Sequence, residues 1–330
     1  MSDPSRLPRP RRRGRRGRLT AAFVVLLGLV GYVVVHDMTG SMGAPRCRIG
    51  SGANQYEFTP EQASNAATIA AVGTSRGLPE RAVTIALATA AQESGLRNIQ
   101  HGDRDSLGLF QQRPSMGWGK PEQILDPVYA SGRFYDGLEK VPGYSRLPLT
   151  VAAQKVQRSG FPQAYAKHEP DATLLSAALT GRAPAALSCT ADLRAQVPGD
   201  PAVVRAELAR AFGKGTVPKP LGGGAGSVGA NAAPPAVELS VDVRGGGGVR
   251  DDRGGPEGSG GLDGSGGLDG QQRRGWELAQ WAVARAGTLH LTEVAYGDRV
   301  WVADDSSGAW RKATGGRGTD GTTVRLRLAK

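Results

Sequence analysis

The sequence predicts a mainly α-helical domain that follows a single N-terminal transmembrane helix and precedes a small α+β module. Three observations support this prediction. Residues 19–36 are apolar and follow an arginine-rich arm, and residues 59–189 are rich in Ala, Leu, Val and Ile at helical spacing. Residues 271–330 combine one helical period with several short strand-like runs. A chain of 330 residues can hold one or two such domains together with linkers.

The first 36 residues have the pattern of a membrane anchor. Residues 1–18 contain eight arginines and one acid, Asp3, whereas residues 19–35 carry no charge. An apolar run of about 17 residues is at the short end of what spans a bilayer as a helix, and it exceeds the usual signal-peptide core. Because positive flanks stay in the cytoplasm, we expect an uncleaved single-pass anchor over residues 19–36, with the rest of the chain outside the cell membrane. A cleaved signal peptide is the alternative.

The charge distribution argues against a nucleic-acid-binding protein. The formal net charge is +11, and the arm of residues 1–18 supplies +7 of it (eight Arg minus one Asp). We therefore expect the arm to contact anionic membrane lipid, and we expect no nucleic-acid partner. The four histidines do not share metal-ligand spacing with a cysteine, so the sequence indicates neither a metal site nor a cofactor.

The chain contains two cysteines, Cys47 and Cys189, which bracket the helical domain. Two cysteines in an exported protein are the number needed for one disulfide bond, and a pair of free buried thiols is the alternative. A bridge closing so long a loop would stabilise the fold by about 3–5 kcal/mol.

The helices of this domain are recognisable from their ends. Thr59, Pro60 and Gln62 make a capping box with proline at the first helical position, and a second helix begins near Pro79 and ends at Gly95. We expect further helices around residues 121–124, 128–138, 150–158 and 170–179, and no strands in this domain. Beyond it, residues 213–270 are rich in glycine and include GSGGLDGSGGLDG, which predicts a disordered linker. In the module at 271–330, we expect a helix at 276–287 and strands at 292–296, 299–303, 310–312 and 323–328.

Two short motifs follow one another in the helical domain. Glu93 and Ser94 close the second helix, and after a polar loop comes Gly108-Leu109-Phe110-Gln111. This pair of motifs resembles the lysozyme-like superfamily, especially the lytic transglycosylases and goose-type lysozymes, over residues 59–187. The resemblance implies a lysozyme-like fold and an enzyme that cleaves the glycan strands of peptidoglycan.

By this resemblance, Glu93 is the general acid that protonates the glycosidic oxygen. A free glutamate titrates near ~4.3 and is ionised at neutral pH, whereas an apolar cleft can raise the pKa to ~6. The resemblance also implies that Ser94 orients the acid or the substrate, that Gln111 binds sugar hydroxyls, and that Gly108 lets the glycan approach closely. Trp118, in a glycine-flanked loop, is a candidate sugar-stacking residue.

The third motif of the family departs from its usual form in this chain. The family carries Ala-Tyr-Asn on a later helix, and the nearest match here is Ala152-Ala153-Gln154. We therefore take Gln154 as a substrate-binding candidate. Gln157 or Tyr165 could supply the missing contacts instead.

The type of reaction depends on a second carboxylate. Inverting hydrolysis needs a base about 6.5–9.5 Å from the acid, and Asp103 and Asp105 in the loop after Glu93 are the candidates. Aspartates in such a loop are also ordinary turn residues. Lytic transglycosylases use one glutamate, and the 6-hydroxyl of the muramic acid attacks to give an anhydro product. The sequence leaves both reactions open, together with a second function in which the domain binds peptidoglycan as a scaffold without cutting it.

Overall fold

The computed structural model describes residues 44–50, 52–158, 162–191, 197–216, 219–220, 237–243 and 270–330. Within them the chain is about half helical and contains two small antiparallel sheets. The expected anchor at residues 19–36 lies outside this part of the chain. Among the residues described, no helix is long and apolar enough to cross a bilayer.

Helices and short strands alternate with loops up to residue 212. The elements are β1 (Cys47–Ile49), β2 (Tyr56–Phe58), α1 (Pro60–Ser75), α2 (Glu80–Ser94), α3 (Pro121–Ile124), α4 (Pro127–Glu139), α5 (Leu149–Gln157), α6 (Glu169–Leu179), β3 (Leu187–Cys189) and α7 (Pro201–Phe212). Each of the predicted helices is present, with ends within one or two residues of the prediction. Helix α7 and a short 3-10 helix at residues 162–168 were not predicted.

The predicted capping box at the start of α1 is confirmed. The Thr59 hydroxyl accepts a hydrogen bond from the Gln62 backbone N–H at 3.2 Å, and the Gln62 carbonyl Oε1 accepts one from the Thr59 N–H at 2.7 Å. Gly73 lies on the same helix against the Tyr135 phenol, which donates to the Ile69 carbonyl at 2.9 Å. The small residues of α1 therefore let α4 pack closely against it.

Helix α2 ends where the sequence predicted. Its residues from Ala82 to Ala90 are buried in the core, and Gly95 adopts the left-handed conformation with φ of 63°. The next N–H, that of Leu96, returns to the Ala90 carbonyl at 3.1 Å, which closes the helix and turns the chain. As a result, Glu93 lies in the last turn of a helix whose preceding turns are held in the core.

The expectation that this domain contains no strands was wrong. Strand β1 pairs antiparallel with β2 on one side and β3 on the other. Cys47 lies opposite Cys189 in this sheet, and the two form the expected disulfide bond across 142 positions of sequence. Each strand has three residues, which is too short for an alternating pattern to stand out.

The C-terminal module contains a six-stranded antiparallel sheet with a helix packed on it. Its elements are β4 (Lys219–Pro220), β5 (Glu238–Asp242), α8 (Gly270–Ala284), α9 (Ala286–Leu289), β6 (Leu291–Tyr296), β7 (Arg299–Val302), β8 (Arg311–Lys312) and β9 (Thr323–Leu328). The strand order is β4-β5-β9-β6-β7-β8. The expected helix and strands of residues 271–330 are all present, with shifted ends.

Strand β5 lies inside the segment 213–270 that we expected to be a disordered linker, so that expectation was wrong for these residues. Leu239 and Val241 are buried, and they pair with Leu326 and Val324 of β9. Apolar and polar residues alternate over Glu238–Asp242, which is the pattern of a half-buried strand. The glycine-rich sequence around this short run concealed it. The tandem GSGGLDG repeat lies outside the described residues, apart from its last glycine.

The module is docked on the helical domain, and residues 45–330 form one compact unit. Buried Gln280 of α8 accepts hydrogen bonds from the N–H groups of Ala186 and Leu187 at 2.9 Å each, and it donates to the carbonyls of Ala178 and Ala183 at 2.7 and 2.9 Å. The indole N–H groups of Trp301 and Trp310 donate to the carbonyls of Cys189 and Leu187 at 2.9 and 3.0 Å. These three side chains are therefore part of the interface between the C-terminal module and the helical domain.

Candidate active site

A groove of about 800 Å³ opens beside the C-terminal end of α2. One side is formed by the loop of residues 103–118, and the other by the C-terminal halves of α4 and α5. Five of the residues singled out in the sequence line it: Glu93, Asp103, Gln111, Trp118 and Gln157. Ser94, Asp105, Gly108 and Gln154 are not among its lining residues.

Glu93 is half-buried at this groove and has specific partners. The Tyr165 hydroxyl donates a hydrogen bond to Glu93 Oε1 at 2.6 Å, and the Gln157 side chain is a second hydrogen-bond partner. Burial raises the pKa of Glu93, because removing a carboxylate from water disfavours its charged form. The two hydrogen bonds oppose this effect only in part, and the pKa remains above its usual value. A general acid requires such a raised pKa, because a higher pKa keeps more of the carboxyl group protonated near neutral pH.

The partners of Glu93 come from two later segments. Tyr165 is fully buried within the 3-10 helix at residues 162–168, so its ring has a fixed position. Gln157 is the last residue of α5, and its Nε2 donates to the Phe110 carbonyl at 2.7 Å. Gln157 therefore connects the acid to the Gly-Leu-Phe-Gln segment. Both residues were sequence candidates for the missing third motif.

Ser94 and Gly108 hold the loop in place and do not line the groove. The Ser94 hydroxyl donates to the Leu109 carbonyl at 2.8 Å, which fastens the motif loop to the end of α2. Gly108 has φ of +73°, and a Cβ there would lie 2.7 Å from the Ile124 carbonyl oxygen. Glycine is thus required for the loop to pack on α3, whereas the resemblance implied close approach of the glycan.

Gln111 lies at the bend of the same loop with φ of 47°, an uncommon conformation for a residue other than glycine. Its Nε2 donates to the Gly108 carbonyl at 3.2 Å, and its Oε1 packs against Gly102. The next residue, Gln112, exchanges backbone hydrogen bonds of 3.0 Å with Leu107 and closes the turn. The bend presents Gln111 to the groove, as expected for a sugar-binding residue.

The two candidate second carboxylates have different environments. Asp105 accepts hydrogen bonds from Arg113 Nε at 2.7 Å and from the Ser115 N–H at 2.8 Å, and these donors hold its pKa far below the usual range. Both of its oxygens are therefore engaged within the loop. Asp103 lines the groove, and its side chain is 94% exposed. A third carboxylate at the groove, Asp136, is paired with Arg76 at 2.6 Å.

Trp118 is half-buried, and hydrogen bonds to its backbone carbonyl hold it in place. Its carbonyl accepts hydrogen bonds from the Tyr129 hydroxyl at 3.1 Å and from Arg133 Nε at 3.3 Å. The edge of the indole ring lies near Gly137 of α4, where an added Cβ would be 3.9 Å from the Trp118 Cη2 atom. This position is suited to stacking on a sugar face.

Gln154 lies one turn before Gln157 on α5 and does not reach the groove lining. Gln157, the alternative on the same helix, has the position at the groove next to the acid. The sequence analysis also missed the basic residues Arg133, Lys140, Lys155 and Arg158, which line the groove. These charges lie at one groove only because α4 and α5 pack side by side.

No protein-family model and no curated protein matches this chain. The assignment of Glu93 therefore depends on its surroundings in this fold.

Proposed function

We propose that this protein cleaves the glycan strands of peptidoglycan, with Glu93 as the general acid. One observation carries the proposal: a half-buried carboxyl group with a raised pKa lies at an open groove and is oriented by the buried Tyr165 phenol. An open groove admits a polymer along its length. The Glu93 carboxyl can then donate its proton to the glycosidic oxygen as the bond to the leaving sugar breaks.

The hydrogen bonds to Glu93 support the step after this proton transfer. Once Glu93 is ionised, Tyr165 and Gln157 can stabilise the new carboxylate, because both donate hydrogen bonds towards it. The same carboxylate is then in position to remove a proton from the incoming nucleophile. A single residue can therefore act as acid and afterwards as base.

The environment of the other carboxylates favours transglycosylation over hydrolysis. Asp105 is occupied by Arg113 and Ser115, and Asp136 is paired with Arg76. The Asp103 side chain is 94% exposed, and its ion pair of 4.0 Å with the neighbouring, exposed Arg104 does not fix it as a base. We therefore propose that the 6-hydroxyl of the muramic acid attacks the anomeric carbon of the same sugar, from which the leaving sugar departs. Glu93 accepts the proton of the hydroxyl, and an anhydro end forms.

The proposed location follows from the N-terminal sequence. We propose that residues 19–36 anchor the chain in the cell membrane, that residues 1–18 contact lipid on the cytoplasmic side, and that the groove lies outside. The Cys47–Cys189 disulfide is consistent with this, since disulfide bonds persist in oxidising compartments.

Digestion of purified peptidoglycan by the full-length chain, beside its Glu93→Gln variant, tests the proposal. Products resolved by mass spectrometry should carry anhydromuramic ends with the unsubstituted chain only. Reducing ends would instead indicate hydrolysis, with Asp103 as the base to test next. If neither protein releases fragments and both sediment with the wall, the protein is a peptidoglycan-binding scaffold and the enzyme proposal is wrong.

A further inference from the structure

The groove beside Glu93 carries more positive than negative charge. Five cationic side chains line it, those of Arg113, Arg133, Lys140, Lys155 and Arg158. Three carboxyl groups face them, those of Glu93, Asp103 and Asp136. This excess of positive charge would not attract a neutral glycan, whereas it would attract a ligand that carries negative charge.

Pairing with residues outside the groove leaves the excess in place. Asp105 pairs with Arg113, and Asp136 pairs with both Arg76 and the groove residue Arg133. Lys140, Lys155 and Arg158 are exposed and form no ion pair with any other described residue. The positive charge is thus concentrated in these three residues.

The packing of two helices brings these three residues to one side of the groove. Lys140 follows the last residue of α4, and Lys155 and Arg158 lie at the end of α5. The helices approach closely at Gly137, where a Cβ would lie 2.9 Å from a methyl group of Val156. We call Lys140, Lys155 and Arg158 the basic rim.

We infer that the basic rim selects glycan strands that carry carboxylates, which it binds while the sugar backbone lies beside Glu93. This inference rests on the proposed function and specifies the substrate. Two sources of carboxylate exist on such strands: the peptide, where it is amide-linked to the lactyl group of the muramic acid, and the lactyl carboxylate itself, where the peptide is absent. Cationic groups along a cleft attract such ligands and orient them, and the attraction weakens as salt screens it.

A structural explanation of the basic rim must be tested against this one. Cations near the C-terminal end of a helix interact favourably with its dipole, and all three residues occupy such positions. This explanation predicts that removal of the charges lowers helix stability and leaves ligand preference unchanged. The binding preference therefore separates the two explanations.

The experiment measures binding by calorimetry to the full-length Glu93→Gln chain, which is used so that the ligands stay intact. The ligands are peptide-bearing tetrasaccharide strands, the same strands stripped of peptide by an amidase, and neutral chitotetraose. Peptide-bearing strands should bind most tightly and chitotetraose most weakly. The amidase exposes the lactyl carboxylate, so tight binding of the stripped strands would show that the basic rim also accepts that group, and weak binding would show that it requires the carboxylates of the peptide.

Charge reversal at the basic rim supplies the matched comparison. Adding Lys140→Glu, Lys155→Glu and Arg158→Glu should weaken binding of the carboxylate-bearing strands about tenfold at low salt, because each exposed charged contact contributes a small factor. A control with Lys214→Glu, Lys312→Glu and Lys330→Glu has the same net charge and should bind normally. If the charge-reversed chain unfolds, we would use Lys140→Gln, Lys155→Gln and Arg158→Gln instead. A salt titration of this variant would then measure the loss of electrostatic attraction.

Two results would overturn the inference: chitotetraose binding within twofold of the peptide-bearing strands, or equal effects of the rim and control reversals. Neither result would bear on cleavage, which is measured separately with the chain that retains Glu93. Conversely, binding that follows charge without any cleavage would overturn the proposed function and leave the ligand class standing.

Discussion

The Tyr165 hydroxyl donates a 2.6 Å hydrogen bond to Glu93 Oε1 across 72 positions of sequence. Tyr165 is fully buried and Glu93 is half-buried at the groove, so a rigid residue determines where the carboxyl group points. This bond lowers the pKa of Glu93, whereas burial raises it by a larger amount. The protonation of Glu93 is therefore set by two opposing effects, and each can be altered by substitution.

Tyr165→Phe should move the alkaline limb of the pH–rate profile to higher pH. The substitution removes a donor that stabilises the ionised carboxylate, so the pKa of Glu93 rises further. The cost in stability should be about 0.5–1.5 kcal/mol, since one hydrogen bond is lost. Initial rates of peptidoglycan cleavage between pH 4 and pH 9 check the shift. An unmoved limb, or one moved to lower pH, would show that the bond does not control the acid.

Glu93→Gln should lower the cleavage rate by about 10²–10⁴-fold or more, because an amide cannot supply the proton. The variant should keep its fold, since Gln can still accept a hydrogen bond from Tyr165. Circular dichroism establishes folding, and fragment release establishes the rate. Cleavage within a few-fold of the unsubstituted chain would exclude Glu93 as the general acid.

The same variant should be more stable than the unsubstituted chain at neutral pH. The folded-state pKa of Glu93 is raised, so the folded chain binds its proton more tightly than the unfolded chain does. Stability contributed by this group is therefore present below the unfolded pKa of ~4.3 and is lost as pH rises through the folded pKa. Chemical unfolding at pH 4 and pH 7 should show the difference at pH 7. Glu122→Gln on the exposed face of α3 is the matched control.

Asp105→Asn should reduce cleavage by less than about tenfold, in contrast to Glu93→Gln. Asp105 fastens the loop through Arg113 and Ser115 and does not line the groove, so its loss loosens the loop without removing a reacting group. Some loss of stability should accompany the change, because the hydrogen bonds from Arg113 and Ser115 are weakened. A rate as low as that of Glu93→Gln, in a folded protein, would make Asp105 the second catalytic carboxylate.

Removal of the disulfide by Cys47→Ser with Cys189→Ser should lower the free energy of unfolding by about 2–5 kcal/mol. The bridge closes a loop of 142 positions and lies between β1 and β3. Denaturant titration measures the loss. Reductant should destabilise the unsubstituted chain and leave the double variant unaffected. Equal responses of the two proteins would show that the bond is absent in solution.

Gln280→Leu should destabilise the protein by several kcal/mol, about 1–3 kcal/mol for each buried group left without a partner. Its side chain makes four hydrogen bonds to the backbone between residues 178 and 187. Gln163→Leu, at an exposed site, is the control. If Gln280→Leu unfolds at the same denaturant concentration as the control, the module is not held to the helical domain in the way described.

Features set by neighbouring residues could be predicted from the sequence. The capping box of Thr59 and Gln62 is closed within four residues, and Gly95 marks the end of α2 by its own conformation. These two signals were enough to place Glu93 in the last turn of a buried helix. Its identity as a candidate came from the resemblance of the surrounding motifs.

Features that depend on distant contacts could not be predicted. The choice between Gln154 and Gln157 depends on the rotation of α5 about its axis relative to the acid, and the contact of Tyr165 depends on the path of a later segment. Strand β5 has an alternating pattern over only five residues, and the pairing of Leu239 with Leu326 is what establishes it as a strand. In each case the information lies in pairs of residues far apart in the chain.

The position of β9 in its sheet has a consequence for how this protein is made. This strand follows the other described strands of the sheet in sequence and lies between β5 and β6, and α8 of the same module is held against the backbone of residues 178–187. When synthesis has reached residue 300, the strand that joins β5 to β6 has therefore not yet been made. Contacts over such separations form slowly, because the chain between them must first be closed into a loop. We expect the sheet to assemble only after residues 323–328 have been synthesised, and a nascent chain stalled before residue 323 to remain open to proteases.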